Sequence, residues 1–270
     1  MKHFLLTVVV IALLAAPAVA QDIETMMAGR AQIGAGLISE AWLHNPAVLG
    51  MQRTADPLDG GNWAHSASGV YEIDGDVDFR ALTWGAHPHG QRWGVGAGVV
   101  DVAGMESIGL GAGWGTPDGR LSAGLNYQSV DTAESDADIF DFAVGGRLSG
   151  ICPALTEGTW GIVARDITDE MEATFDIGIG YESELWRVAA DLEDVSDEID
   201  SVFQLGVAHR FGSMNQWQVG AGVDDEDLTA GFTYRPTTDA EVSPWKIGVA
   251  WLEGDGGADD AWVIGAGANW

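Results

Sequence analysis

The stretch "SIGLGAGWG", residues 107–115, alternates small and large side chains. Ser107, Gly109, Gly111, Gly113 and Gly115 share one parity; Ile108, Leu110, Ala112 and Trp114 share the other. A period of two places these sets on opposite faces of a β-strand. Glycine weakens an ordinary strand, so a face of nearly bare backbone needs a reason. One face of this sheet meets an apolar surrounding. The other is kept empty, leaving room for something else to lie against it.

The same rule recurs from residue 63 onward. Alternating runs fall at 63–72, 77–87, 93–101, 106–115, 120–129, 139–149, 159–166, 173–182, 185–192, 201–211, 216–224, 228–236, 245–253 and 261–270. In "WGVGAGV", Trp93, Val95, Ala97 and Val99 oppose Gly94, Gly96 and Gly98. In "WKIGVAW", Trp245, Ile247, Val249 and Trp251 oppose Lys246, Gly248 and Ala250. The second run breaks phase, because Leu82 and Trp84 share parity with Arg80, and a bulge is expected there.

A soluble β-sandwich also alternates, but its exposed face is rich in Lys, Thr and Glu. Here the non-apolar face is Gly, Ser, Ala and Asn with scattered charges. That fits an all-β, antiparallel transmembrane barrel of about fourteen strands, or twelve if two short runs merge into loops. Runs of this length suit tilted strands crossing a bilayer. Inward parity is expected for Arg80, Arg147, Arg187, Arg210 and Arg235, and for Asp141, Asp176 and Asp191. In an open pore such residues set ion selectivity.

Charge is sorted by turn. The gaps after odd runs, such as "EIDGDVD", "EDVSDEID" and "DDED", hold 27 of the 41 acidic residues. The gaps after even runs hold Arg92, Arg120, Arg147, Arg187, Arg210, Arg235 and Lys246. With the chain starting in the periplasm, the acidic turns face outward. Nine of twelve tryptophans gather at the opposite rim: Trp63, Trp84, Trp93, Trp114, Trp160, Trp186, Trp217, Trp245 and Trp270. An aromatic girdle at the membrane–water interface explains that placement.

Residues 1–20 read as a secretory signal peptide, with Lys2 before an apolar run and "AVA" before a cleavage point at Ala20/Gln21. Without Lys2 the mature chain carries 11 basic against 41 acidic residues, which argues against nucleic acid as a partner. A single cysteine, Cys152, excludes an intrachain disulfide.

Residues 21–62 do not alternate. "MAGRAQIGAGLISEAWLHNPAVLG" reads as a short helical or looped segment followed by a turn at Asn45-Pro46. The spacing of Gly29, Arg30 and Ala31 before Asn45, Pro46 and Ala47 resembles the "GRA…A…NPA" arrangement in the hatch of FadL-type outer-membrane transporters. PorV-like proteins carry a similar "NPA". The resemblance implies a fourteen-stranded barrel (63–270) with residues 21–62 folded into its lumen as a hatch. Hatch or gating roles would fall to Arg30, Glu40, His44, Asn45, Pro46 and Ala47. It also implies an outer-membrane location, lipid and the barrel-assembly machinery as partners, and a small hydrophobic solute. The terminal aromatic, Trp270, resembles the C-terminal signal that this machinery reads. The barrel is lean, with short outer turns and no large external capture surface.

The six histidines assemble no catalytic constellation, so no enzyme and no cofactor is expected. His87 and His89 are expected in a solvated turn. The best calcium candidates are Asp224, Asp225, Glu226 and Asp227, although their spacing matches no known calcium loop. Three functions stay open: a hatch-plugged channel for small hydrophobic compounds, a PorV-like scaffold or binding protein for secretion or surface attachment, and a general porin.

Overall fold

The computed structural model describes residues 41–51, 63–74, 79–102, 105–131, 136–152, 155, 157–168, 173–195, 201–224, 227–237, 244–253 and 260–269. Among the described residues two short helices come first, α1 (Ala41–His44) and α2 (Val48–Met51). Strands follow as β1 (Trp63–Asp74), β2 (Phe79–Pro88), β3 (Trp93–Val102), β4 (Met105–Gly115), β5 (Ser122–Asp131), β6 (Asp136–Arg147) and β7 (Gly158–Arg165). The second half is β8 (Thr174–Glu182), β9 (Trp186–Glu193), β10 (Val202–Phe211), β11 (Trp217–Asp224), β12 (Asp227–Tyr234), β13 (Trp245–Leu252) and β14 (Ala261–Asn269).

Each strand pairs antiparallel with its sequence neighbours, and β1 pairs with β14, so the sheet closes into a barrel of fourteen strands. Closure removes the two free edges that an open sheet would expose. All fourteen alternating runs are strands, and the twelve-strand fallback is set aside. The signal peptide, Arg30, Glu40, Asp225, Glu226, Trp270 and most of segment 21–62 lie outside the described residues.

The parity rule decides which way each side chain points. Along β4, Ile108, Leu110 and Trp114 are exposed, while Ser107, Gly109, Gly111 and Gly113 are buried. The same holds around the ring, with Leu125, Ile179, Leu205, Phe232, Ile247 and Ile264 exposed on the outer face. An outer surface this apolar is not the surface of an ordinary soluble domain. Aromatic rings contact one another at the rim where odd strands begin. Trp63 meets Trp93 edge-on at 5.3 Å, and Trp217 lies 4.2 Å from Tyr234. Trp93 and Trp114 are direct cross-strand partners.

Two expectations about β2 are corrected. β2 carries no bulge, since its register with β1 and β3 runs without a shift. The irregularity lies in β1, between Glu72 and Asp74, against β14. Strict alternation therefore puts Arg80 outside with Leu82 and Trp84, not in the lumen. Its guanidinium pairs with Asp101, its direct partner on β3. The pairing continues from Asp101 to Glu106, then to Asp131 and Asp136, so Arg80 ends a row of carboxylates on the outer face. Like charges directly opposite repel, and a cation at the row's end offsets part of that.

His87 is also displaced from expectation. It stands within β2, fully buried, rather than in a solvated turn.

Candidate functional site

The inner face of β3–β7 is where the empty parity acquires a purpose. Asn45 lies between the two helices and caps the second. Its Oδ1 accepts the Ala47 N–H at 3.0 Å. Pro46 occupies the next position, where a missing N–H costs nothing, and the Val48 N–H donates to the Asn45 carbonyl at 3.0 Å. Ala47, Val48, Leu49 and Met51 are buried and pack with Ala143 of β6 and Val163 of β7.

The wall glycines explain how a backbone comes so close. A Cβ on Gly124 would lie 2.6 Å from the Ala47 nitrogen, and one on Gly113 would lie 2.9 Å from Leu49 Cβ. Both would also strike the Pro46 carbonyl oxygen. A Cβ on Gly115 would strike the Gly50 carbonyl, and one on Gly50 would strike the backbone of Trp114. The glycines of β4 and β5 thus form a slot whose floor is backbone and whose occupant is residues 46–50. Real Cβ atoms do not approach backbone this closely, so any larger side chain excludes the occupant.

Two arginines receive the carbonyls at the helix ends. Arg165 donates from Nη1 to the Leu43 carbonyl at 2.7 Å and from Nη2 to the His44 carbonyl at 2.9 Å. Arg92 donates from Nη1 to the Met51 carbonyl at 2.8 Å. The last carbonyls of a helix have no partner within it, and cationic donors suit them well.

Arg165 is itself held by carboxylates. Its Nε donates to Asp176 Oδ2 at 2.6 Å, and its Nη1 lies 3.4 Å from Asp141 Oδ2. Asp141 Oδ2 also accepts from Asn126 Nδ2 at 3.0 Å and Gln128 Nε2 at 3.2 Å. The other oxygens of the two carboxylates accept from the backbone N–H of Asp166 and of Asp194, each at 3.0 Å. Asp166 and Asp194 have positive φ, of 46° and 48°, where β7 and β9 leave the sheet. The two lumen carboxylates therefore fix two strand ends and one arginine together.

The remaining inward residues are spread over β6, β9, β10 and the end of β12. Asp191 and Arg187 are buried on β9, and Arg210 bonds Gln218 at 3.0 Å and Glu182 at 2.7 Å. Arg147 is half-buried where β6 ends, and Arg235 follows β12 with its N–H on the Gln216 carbonyl. Asp224 and Asp227 are cross-strand partners. Among the described residues no cluster of three His, Cys, Asp or Glu is arranged to hold a metal ion. The far wall is different in character: Val70 of β1, Ala208 of β10, Ala250 of β13 and Val263 of β14 form a buried apolar cluster.

Arg165 and Arg92 are the site residues that sequence reasoning missed. Arg165 shares inward parity with Gly161 and Val163, which is the available signal. Arg92 reads in the sequence only as a turn charge.

No protein-family model matches the chain, and no curated protein matches it in sequence. Solved structures do match it. The toluene transporter TodX of Pseudomonas putida aligns over 93% of this chain and 97% of its own, at 11% identity and a TM-score of 0.51. A bacterial polysaccharide outer-membrane secretin aligns over 77% of this chain and 97% of its own, at 11% identity and a TM-score of 0.40. At these identities the likeness concerns the fold. The chain folds like TodX, and its closed fourteen-stranded barrel fits the FadL-like fold that the resemblance implies.

Proposed function

We propose that the chain is an outer-membrane channel that passes small apolar compounds and is closed by its own N-terminal segment. The observation that carries this reading is the seating of residues 41–51 against the glycine slot of β4 and β5. A wall kept bare for a segment of the same chain supports a plugged barrel over an open one. The apolar outer face and aromatic rim supply the membrane setting. A ten-residue strand at about 3.3 Å per residue, tilted by roughly 40°, covers about 25 Å, the height of the apolar band of such barrels. The fold likeness to a protein named as a toluene transporter points to apolar solutes.

The test is solute entry into cells that make the protein, compared with cells that do not. Toluene entry rises and entry of a small sugar does not. Entry of both would mean an open porin. Entry of neither would favour a scaffold for secretion or surface attachment.

Orientation gives a separate expectation. In a Cys152→Ala background, single cysteines at Asp197 and Asp225 label with an impermeant maleimide on whole cells, and cysteines at Asp118 and Ser213 do not. Asp118 sits in the tight β4–β5 turn, where the Thr116 hydroxyl and the Arg120 N–H hold its carboxyl below the ordinary range. Its contribution to the turn is complete above the usual aspartate value and is lost as pH falls through the lowered one. At neutral pH the turn is therefore intact in the variants at 197, 213 and 225, whereas the cysteine at 118 removes this carboxylate from it. The reverse labelling pattern would invert the topology.

A further inference from the structure

We infer that residues 41–51 are a fixed part of the barrel, clamped by Arg92 and Arg165, and that solute passes between this segment and the far wall of β10–β14 and β1. This rests on the plugged-channel reading and says which part of the plug stays still.

The clamp acts at two separate points. Arg165 holds the end of α1 and Arg92 holds the end of α2, so the segment is pinned on both sides of its Asn45-Pro46 turn. Neither arginine is a loose surface side chain. Arg165 is oriented by Asp176 and Asp141, and those carboxylates are tied to the strand ends through Asp194 and Asp166. Moving α1 off the wall would leave three lumen charges to rearrange together. Between the pins, the backbone of residues 46–50 sits directly on backbone of β4 and β5, so a sliding motion meets main chain and not flexible side chains.

The opposite wall has the other qualities. Val70, Ala208, Ala250 and Val263 form an apolar cluster on a wall that also carries the inward-facing Lys246, Gln204, Gln218 and Arg210. A small apolar solute crossing the lumen meets hydrocarbon at that cluster, and carboxylates and guanidinium at the clamp. A path along the far wall needs no desolvation of the Arg165 cluster, whereas a path opened by lifting residues 41–51 does.

The experiment uses the full chain with Cys152→Ser and a single reporter, Leu49→Cys, chosen because Leu49 is the fully buried residue of the segment that faces the β4 wall. Maleimide reactivity of the reporter thiol is measured in detergent and in cells, with and without toluene. The thiol is expected to stay protected in both conditions. Arg92→Gln with Arg165→Gln is expected to make it reactive while heat-modifiable migration shows the barrel still closed. Arg92→Gln alone, which removes the guanidinium from the Met51 carbonyl, gives a smaller rise and serves if the double variant fails to fold. Ala250→Phe and Val263→Phe are expected to lose toluene entry without exposing the reporter.

Reactivity of the reporter thiol that appears on adding toluene overturns the inference, because the segment then moves with transport. Protection that persists in both arginine variants overturns the clamp. If toluene entry is absent in every form, the channel reading fails by itself, and the labelling still decides whether residues 41–51 are fixed.

Discussion

Gly113→Leu will expel residues 41–51 from the wall while leaving the barrel closed. Even the first carbon of the new side chain would strike the Pro46 carbonyl and lie 2.9 Å from Leu49 Cβ. Overpacking normally costs about 1–3 kcal/mol, because neighbouring side chains give way. Here the obstacle is backbone, and it belongs to a segment that can leave. Departure forfeits the burial of Val48, Leu49 and Met51, worth roughly 1.5–3 kcal/mol for each large apolar side chain. The ladders of β4 with β3 and β5 do not depend on that segment. Limited proteolysis in detergent should therefore cut within residues 41–51 in the variant and not in the parent. Heat-modifiable migration should be unchanged. Gly150→Ala is the control, since its Cβ would meet only the Arg120 side chain at ordinary contact distance.

Arg165→Met will destabilise the barrel by about 3–5 kcal/mol, the usual consequence of removing one partner from a buried ion cluster. Asp141 and Asp176 are almost fully buried and would lose the cation between them. Their hydrogen bonds to Asn126, Gln128 and two backbone N–H groups do not neutralise two charges. Adding Asp141→Asn and Asp176→Asn to Arg165→Met should recover most of the loss, because the cost lies in the unpaired carboxylates. Arg165→Lys should fall between. An ammonium keeps the charge but cannot reproduce a planar fork that serves two carbonyls and two carboxylates at once. Guanidinium unfolding followed by tryptophan fluorescence in detergent measures all four proteins. Equal stability of parent and Arg165→Met would mean that water already solvates the cluster.

The barrel was legible in the sequence because its rule is local. Parity along each run tells inside from outside, and the fourteen runs match fourteen strands to within a few residues at their ends. Arg80 shows where charge misleads. Its charge argues for the lumen and its parity for the outside, and the uninterrupted register settles it outside beside Asp101. No bulge is needed in β2 to accommodate it.

The site was legible only by halves. Bare glycines at Gly113 and Gly124 announced that something lies close, and "NPA" announced a turn, but nothing local joins positions some seventy residues apart. Arg165 was harder still. Its importance comes from four partners drawn from α1, β6 and β8, and one alternating strand names none of them. His87 was misplaced because His-Pro-His looks like a turn, whereas the strand continues to Pro88 before turning.

The central claim is that the N-terminal segment closes the lumen. Single-channel conductance in planar bilayers tests it most directly, comparing the mature chain with a form lacking residues 24–60. Fourteen strands enclose more space than glycine, serine and alanine side chains fill, because barrel diameter grows with strand number. The deleted form should insert and show a larger, steadier and less selective conductance than the mature chain. Unchanged conductance would place the segment outside the conducting path and contradict the account.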